Sequence, residues 1–315
     1  MTTDPGLPRP IKDSAEAVLM RGIGGNYLLA DRNGVVGIAT IRGILRREGM
    51  VPTIGDHVRY SASGDPDVPY RIDAILPRRN LLPRPPISNL DLLFVTVSAA
   101  EPAPDLYLVD KLLILCGVHD IRPIVCITKC DLDARSAAKV REVYETAGYS
   151  VRMTGFGGSS TGYESNLDAL RGEIAGHIVG IAGQSGVGKS TLLNRMAERD
   201  LMPTGDVSLR IGRGRHTTRR VELFPFEGGY MADTPGFSML DLWEAGVTGE
   251  QVPLGFPEIL RVDDPCRFQG CRHVAEPGCA VEAAGIDPGR LERYRRFRSA
   301  LDAIDPFAKR RPPPV

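Results

Sequence analysis

Hydrophobic and polar positions follow different rhythms along the chain. Between about Asn26 and Leu76 the apolar residues come in short pieces, Tyr27 to Ala30, Val35 to Thr40, His57 to Tyr60 and Tyr70 to Leu76. The turn signals Asp31-Arg32-Asn33-Gly34, Ile54-Gly55-Asp56 and Ser63-Gly64-Asp65-Pro66 separate them. Short strands at this spacing predict a small closed β-barrel of the OB type. From Leu92 onward, continuous apolar runs alternate with helical periodicity. Leu92 to Val97, Ile124 to Ile127 and Ser150 to Met153 read as strands, and Leu106 to Cys116 and Ala137 to Ala147 as helices. Strands that are apolar throughout are buried on both faces, so a parallel sheet covered by helices is predicted. Ile178 to Ala182 is a further buried strand, with a helix from Thr191, and Val221 to Phe226 is another strand. Arg290 to Arg298 is helical in pattern. Pro5, Pro8 and Pro10 mark residues 1 to 22 as a mobile lead-in, and the prolines from Pro77 to Pro86 mark a linker.

Composition refines this picture only in part. With 315 residues the chain exceeds one hydrophobic core, and 42% hydrophobic and 25% charged residues are ordinary for a globular protein. Lys plus Arg equals Asp plus Glu at 39 each, so any nucleic-acid contact must come from local patches. Arg42, Arg46, Arg47, Arg71, Arg78 and Arg79 give the barrel section such a patch, which suits an RNA backbone as well as it suits plain solvation. No apolar run is long enough to span a bilayer and the N-terminus has no signal-peptide pattern, so a cytoplasmic protein is expected. Cys116, Cys126 and Cys130 lie in apolar segments and read as buried thiols.

The most informative stretch is Gly183-Gln184-Ser185-Gly186-Val187-Gly188-Lys189-Ser190-Thr191, set between a strand and a helix as a phosphate-binding loop requires. Gly183, Gly186 and Gly188 let successive backbone N–H groups turn toward an anion beside a helix N-terminus. In this pattern Lys189 reaches the β- and γ-phosphates and Ser190 holds Mg²⁺. A second element, Thr128-Lys129-Cys130-Asp131, lies at the C-terminal end of a buried strand, where ligands bind in parallel sheets. The two oxygens of Asp131 suit guanine N1–H and the 2-amino group, and Lys129 can lay its stem along the base. The usual first residue of this motif is Asn. Thr128 has no amide, which predicts a weaker or more indirect contact to guanine N7 and to the phosphate loop. Met153-Thr154-Gly155 is a candidate for the loop backing the base. The guanine motif precedes the phosphate loop by some fifty residues, the reverse of the ordinary order, which a circularly permuted sheet accommodates.

Beyond the phosphate loop, Gly205 to Arg220 carries five arginines from Arg210 onward and lacks apolar periodicity, as a mobile switch segment does. Thr217 and Thr218 are the switch threonines of this reading, with Thr218 a Mg²⁺ ligand. Met231-Ala232-Asp233-Thr234-Pro235-Gly236 completes the set: Asp233 binds Mg²⁺ through water, and the Gly236 amide bonds the γ-phosphate. Phe237 occupies the position where many GTPases orient water with glutamine. His216 is therefore expected to supply that function, alone or when a partner orders its loop. Cys266, Cys271, His273 and Cys279 offer three thiolates and one imidazole within fourteen residues, the donor set of a closed structural zinc site. Residues 290 to 311 hold eight basic and three acidic side chains, which reads as either a nucleic-acid patch or a solvated basic helix.

These motifs, in this order, resemble those of the ribosome small-subunit-dependent GTPases, the RsgA/YjeQ family. The resemblance runs from about residue 25 to 300. It implies three parts: a lead-in and OB barrel over 1–80, a circularly permuted P-loop GTPase α/β domain over 81–250, and a mostly helical zinc domain over 251–315. It further implies GTP/GDP, Mg²⁺ and Zn²⁺ as cofactors and ribosome-stimulated hydrolysis. The partners it implies are the small (30S) ribosomal subunit and its 16S rRNA, with no membrane contact. A monomer is expected. Two other readings stand beside it: an RNA or assembly scaffold whose nucleotide only gates affinity, and an ATP-using P-loop enzyme, which Asp131 opposes.

Overall fold

The computed structural model describes residues 14–43, 50–83, 86–157, 163–197, 221–233 and 240–304. Their backbone forms the barrel first. Strands β1 (Ala15–Ile23), β2 (Asn26–Asp31), β3 (Gly34–Ile41), β4 (His57–Ala62) and β5 (Tyr70–Ile75) close in the order β1-β2-β3-β5-β4. Strand β1 is antiparallel to both β2 and β4, and β3 runs parallel to β5. This is the expected OB-type barrel. Leu19, Leu29, Ala39, Val58, Tyr60, Tyr70 and Ile72 fill it, and the rings of Tyr60 and Tyr70 meet edge to face at 5.5 Å.

Two proline-marked segments behave differently from expectation. Residues 15 to 22 of the supposed lead-in are strand β1, without which the barrel would not close. A register shift between Leu19 and Arg21 lets Val18, Leu19 and Met20 all bury, which erases the alternation that marks a strand. The supposed linker is a packed hairpin of β6 (Leu81–Pro83) and β7 (Pro86–Ser88), with its prolines at strand ends. Arg78 donates to both oxygens of the fully buried Asp56, at 2.7 and 2.8 Å, and Ser88 Oγ donates to the same carboxylate at 2.7 Å. Arg78 is thereby committed to the fold; the Asp56 hydrogen bond raises its pKa against the opposing effect of burial. Arg71 lies 3.2 Å from Asp73, and Arg79 lies 3.0 Å from Asp91. The barrel section's basic patch is thus partly neutralised by its own carboxylates, with Arg46 and Arg47 outside the described residues.

The sheet that carries the motifs has six strands. They are β8 (Leu92–Ser98), β9 (Arg122–Thr128), β10 (Ser150–Met153), β11 (Ile178–Ala182), β12 (Glu222–Phe226) and β13 (Gly229–Asp233), in the order β10-β9-β8-β11-β13-β12. The β8–β9, β9–β10 and β11–β13 pairs are parallel, and β12 adds an antiparallel edge. The connecting helices are α1 (Leu106–Val118), α2 (Ala134–Ala147), α3 (Glu164–Gly172) and α4 (Lys189–Ala197). Asp105 and Asp133 start α1 and α2 by accepting from Leu108 N and Ser136 N, and Gly148 ends α2 in the left-handed conformation. Helix α3 buries only Leu170.

After the sheet come a 3₁₀ helix (Gly249–Gly255), α5 (Pro257–Leu260), α6 (Ala280–Ala283) and α7 (Pro288–Asp302). Among the described residues the chain divides into two compact units. One holds residues up to 91 with 174–180 and 221–233; the other holds 92–173, 181–197 and 240–304. No helix among the described residues is long and apolar enough to cross a membrane.

Candidate nucleotide site and metal cluster

The fully buried strand β11 delivers the chain into the phosphate loop. Gly183 has φ +156°, and a Cβ there would lie 2.1 Å from the carbonyl oxygen of Thr96 on β8, so no side chain fits. Gly186 and Gly188 are in the left-handed region at φ +78° and +98°. Val187, almost wholly buried, anchors the turn while Ser185 and Gly186 face solvent. Lys189 opens α4 and folds back over the loop. Its Nζ donates to Gly183 O at 2.9 Å and Gln184 O at 2.7 Å. Burial lowers its pKa, the direction expected of an ammonium taken out of water. The buried Gln184 Oε1 has no hydrogen-bond partner among the described residues. Ser190 and Thr191 are half-buried in the first turn of α4.

Thr128 ends β9 and is 1% exposed. Its hydroxyl donates to Val187 O in the phosphate loop, with Val97 O also within 3.3 Å. Of the two expectations for the link between Thr128 and the phosphate loop, weaker or indirect, the second is corrected: the contact is direct. A threonine at the end of a strand beside the loop needs no amide to reach it. Lys129, at φ +56°, stretches across the same loop: Nζ donates to Gly186 O at 2.9 Å and to Glu101 O. Asp131, half-buried, accepts at Oδ2 from Gly157 N at 2.7 Å. The base-backing candidate is pinned to β9, because Thr154 N donates to Ile127 O at 2.7 Å and Cys130 N donates to Thr154 O at 3.0 Å. Two motifs some fifty residues apart in sequence are thus joined by side chain to backbone hydrogen bonds. Sequence reasoning missed Gly157 and the Glu101 carbonyl. The glycine-rich run after Gly155 is the one signal that pointed toward the first.

Asp233 closes β13, where its backbone pairs with Glu222 on β12. Its side chain, together with His216, Thr217, Thr218 and Gly236, lies outside the described residues. The backbone alone places Asp233 at the C-terminal end of a strand that runs parallel to β11.

Cys266, Cys271, His273 and Cys279 converge, with one donor atom from each all lying within 4.8 Å of one another. Cys266 and Cys279 sulfurs are 3.9 Å apart, and His273 Nδ1 lies 3.6 Å from the first and 3.3 Å from the second. Tetrahedral Zn–S bonds of about 2.3 Å put sulfurs about 3.8 Å apart, so the donor set fits zinc in size as well as chemistry. The Ala280 N–H lowers the Cys266 pKa, while burial pushes the Cys271 thiol up to about 12. Metal binding takes the three cysteines as thiolates and the imidazole neutral, and the cation offsets the charge that the thiolates bring together.

Helix α7 overturns a simple reading of its charge. Arg290 is fully buried: it bonds Asp110 at 2.6 Å and both Glu258 oxygens at 2.7 and 3.0 Å, and it lies 4.2 Å from the centre of the Phe256 ring. Arg293 shares Asp110 at 2.5 Å, Arg295 pairs with Glu282, and Arg298 meets Asp302 at 2.9 Å. Arg296 sits 4.9 Å from the centre of the Tyr107 ring. Arg290, Arg293, Arg295 and Arg298 are thus paired with carboxylates of the fold, whereas Arg296 is exposed and Lys309, Arg310 and Arg311 of the basic run lie outside the described residues.

A sequence model described as RsgA GTPase matches residues 75–243. A small ribosomal subunit biogenesis GTPase RsgA of Ruminiclostridium cellulolyticum is 39% identical over 302 residues, covering 92% of this chain and 95% of that protein. Its counterpart in a Geobacillus species is 37% identical, covering 95% and 99%. Among solved structures, YloQ, described as a circularly permuted GTPase, superposes with a TM-score of 0.76 at 32% identity, covering 94% of this chain and 97% of that one. YjeQ from Thermotoga maritima does so with a TM-score of 0.76 at 28% identity, covering 93% and 100%. With its permuted motif order, its closed barrel and matches of this extent, the chain belongs to the RsgA GTPase family and is a GTP hydrolase.

Proposed function

We propose that this GTPase acts in the biogenesis of the small (30S) ribosomal subunit, the role carried in its relatives' names, and that the subunit stimulates its turnover. The observation that carries the reading is the joining of the guanine motif to the phosphate loop through Thr128 and Lys129. That joining supports one nucleotide site built from two motifs in permuted order.

In this reading, guanine pairs with Asp131 and lies along Lys129, beside Thr128. The phosphates lie in the cradle of residues 183–191, with Lys189 neutralising them. It would leave its bonds to Gly183 O and Gln184 O to do so. Ser190, Thr218 and Asp233 hold Mg²⁺, which neutralises charge developing on the phosphates. Thr217 and the Gly236 amide face the γ-phosphate, and His216 orients water once the bound subunit orders its loop. Cys266, Cys271, His273 and Cys279 hold one structural zinc. We assign three functional parts, with boundaries near residues 80 and 250, in a cytoplasmic monomer that contacts 16S rRNA.

The test is GTP turnover measured with and without purified small subunits. Stimulation that His216→Ala abolishes, while GDP binding persists, is the expected outcome. Unchanged turnover in the presence of subunits overturns the reading in favour of a scaffold whose nucleotide only gates affinity.

A further inference from the structure

The Asp131 carboxylate is enclosed by backbone. Gly157 N–H donates to its Oδ2 at 2.7 Å. A Cβ on Gly157 would lie 2.3 Å from that oxygen, and a Cβ on Gly155 would lie 2.6 Å from Oδ1 and 2.9 Å from Tyr163 Cε2. These separations are shorter than any side chain tolerates. Neither glycine has the left-handed backbone that usually calls for glycine. A side chain at either position would meet the carboxylate end of Asp131 and push it out of its present place. The segment has little freedom to retreat. Thr154 is tied to Ile127 O through both its amide, at 2.7 Å, and its hydroxyl, at 3.2 Å, and Cys130 N is tied to Thr154 O.

A carboxylate on a free Cβ–Cγ bond samples many planes, whereas recognition of two parallel N–H donors requires both oxygens in the plane of those donors. One hydrogen bond from a fixed amide selects a plane. It occupies one lone pair of Oδ2 and leaves acceptor capacity on both oxygens. We propose that Gly157, seated by Gly155, is a positioning residue for base selection: its amide fixes the Asp131 carboxylate in the plane that reads guanine. The proposal rests on the assignment of Asp131 as the guanine acceptor.

Guanine and hypoxanthine separate the two claims. Both have N1–H, but only guanine has the 2-amino group that the second oxygen reads. Phosphate and magnesium contacts are the same for both nucleotides. The experiment is titration of full-length wild type and Gly157→Ala with GDP and with IDP. The expected result is GDP affinity lower by about 10- to 100-fold, the range for a lost bond to a charged group, with IDP affected far less. The GDP-to-IDP preference then falls toward one. An unchanged preference overturns the proposal, and so does an equal loss for both nucleotides, which marks general damage to the site. Asp131→Asn is titrated with XDP in parallel. If it gains no preference for XDP, the guanine assignment fails and the proposal with it. If it gains that preference while Gly157→Ala leaves the GDP-to-IDP ratio intact, only the role of Gly157 is overturned. Should Gly157→Ala not fold, the Gly157 amide proton is followed by NMR in the ¹⁵N-labelled full chain. It is expected to move upfield in Asp131→Asn relative to wild type, and identical shifts overturn the proposal.

Discussion

The loops around Asp131 and Lys189 and the arginines of α7 use charge in opposite ways. In the loops the charged groups stay at the rim of the sheet. Asp131 is half-buried against a backbone amide, and Lys129 and Lys189 bond only to carbonyl oxygens. Among the described residues no carboxylate pairs with those ammonium groups, so both can turn toward a phosphate or a base. In α7, Arg290 and Arg293 are committed to Asp110, a residue some 180 positions earlier in the chain. A positive charge that has already found a buried carboxylate is unavailable to RNA. The lesson is that the worth of a charge depends on what shares its surroundings, and sequence proximity does not report that.

The largest effect expected from probing this contrast is at the metal cluster. Cys279→Ala removes one of four donors from a site that in isolated zinc modules supplies about 10 kcal/mol of folding free energy. Bound zinc per chain should fall from near one to near zero, measured by elemental analysis. Amide exchange between residues 262 and 285 should rise while the sheet stays protected. Retained zinc at full stoichiometry would show that the cluster is not its site.

The next effect is at Arg290. Arg290→Met leaves Asp110 with Arg293 and the Tyr144 hydroxyl and takes from Glu258 its buried cation, and breaking a buried pair in this way costs about 3–5 kcal/mol. Denaturant unfolding of the full chain should register that loss, and RNA affinity should change little at temperatures where the variant is folded. Unaltered stability with a large drop in RNA affinity would reverse the comparison and make α7 a binding surface.

The smallest is at the join between the two nucleotide motifs. Thr128→Val keeps the volume but leaves Val187 O without its donor, worth about 1–3 kcal/mol. GDP affinity should fall by about tenfold or more, and Thr128→Ser should restore most of it. Equal affinity in all three proteins would mean that the join does not shape the site.

Much of this was legible in the residues. The barrel strands from Tyr27 onward, the parallel strands, the phosphate loop and the zinc donors all rest on local rules. Strand alternation, glycine at turns and the spacing of ligands are set by neighbours within a few residues. The missed elements fail for stated physical reasons. The register shift in β1 removes its alternation, and prolines at the ends of β6 and β7 imitate a linker. Thr128 looked like a weakened motif because the hydrogen bond to Val187 O depends on how closely β9 and the loop after β11 approach.

By itself, the sequence determined that a phosphate cradle exists, that a carboxylate able to read guanine stands at the end of a strand, and that four metal donors lie near one another. Backbone conformational freedom and donor chemistry travel with the residues, so no fold is needed to see them. Only the tertiary structure decided which arginines are spent, that Thr128 and Lys129 bind the phosphate loop to the guanine motif, and that Gly157 holds Asp131. Those outcomes depend on contacts between residues 22 to 183 positions apart, which only the folded chain brings together, and for Arg290 also on a buried setting in which one ion pair outweighs local preference.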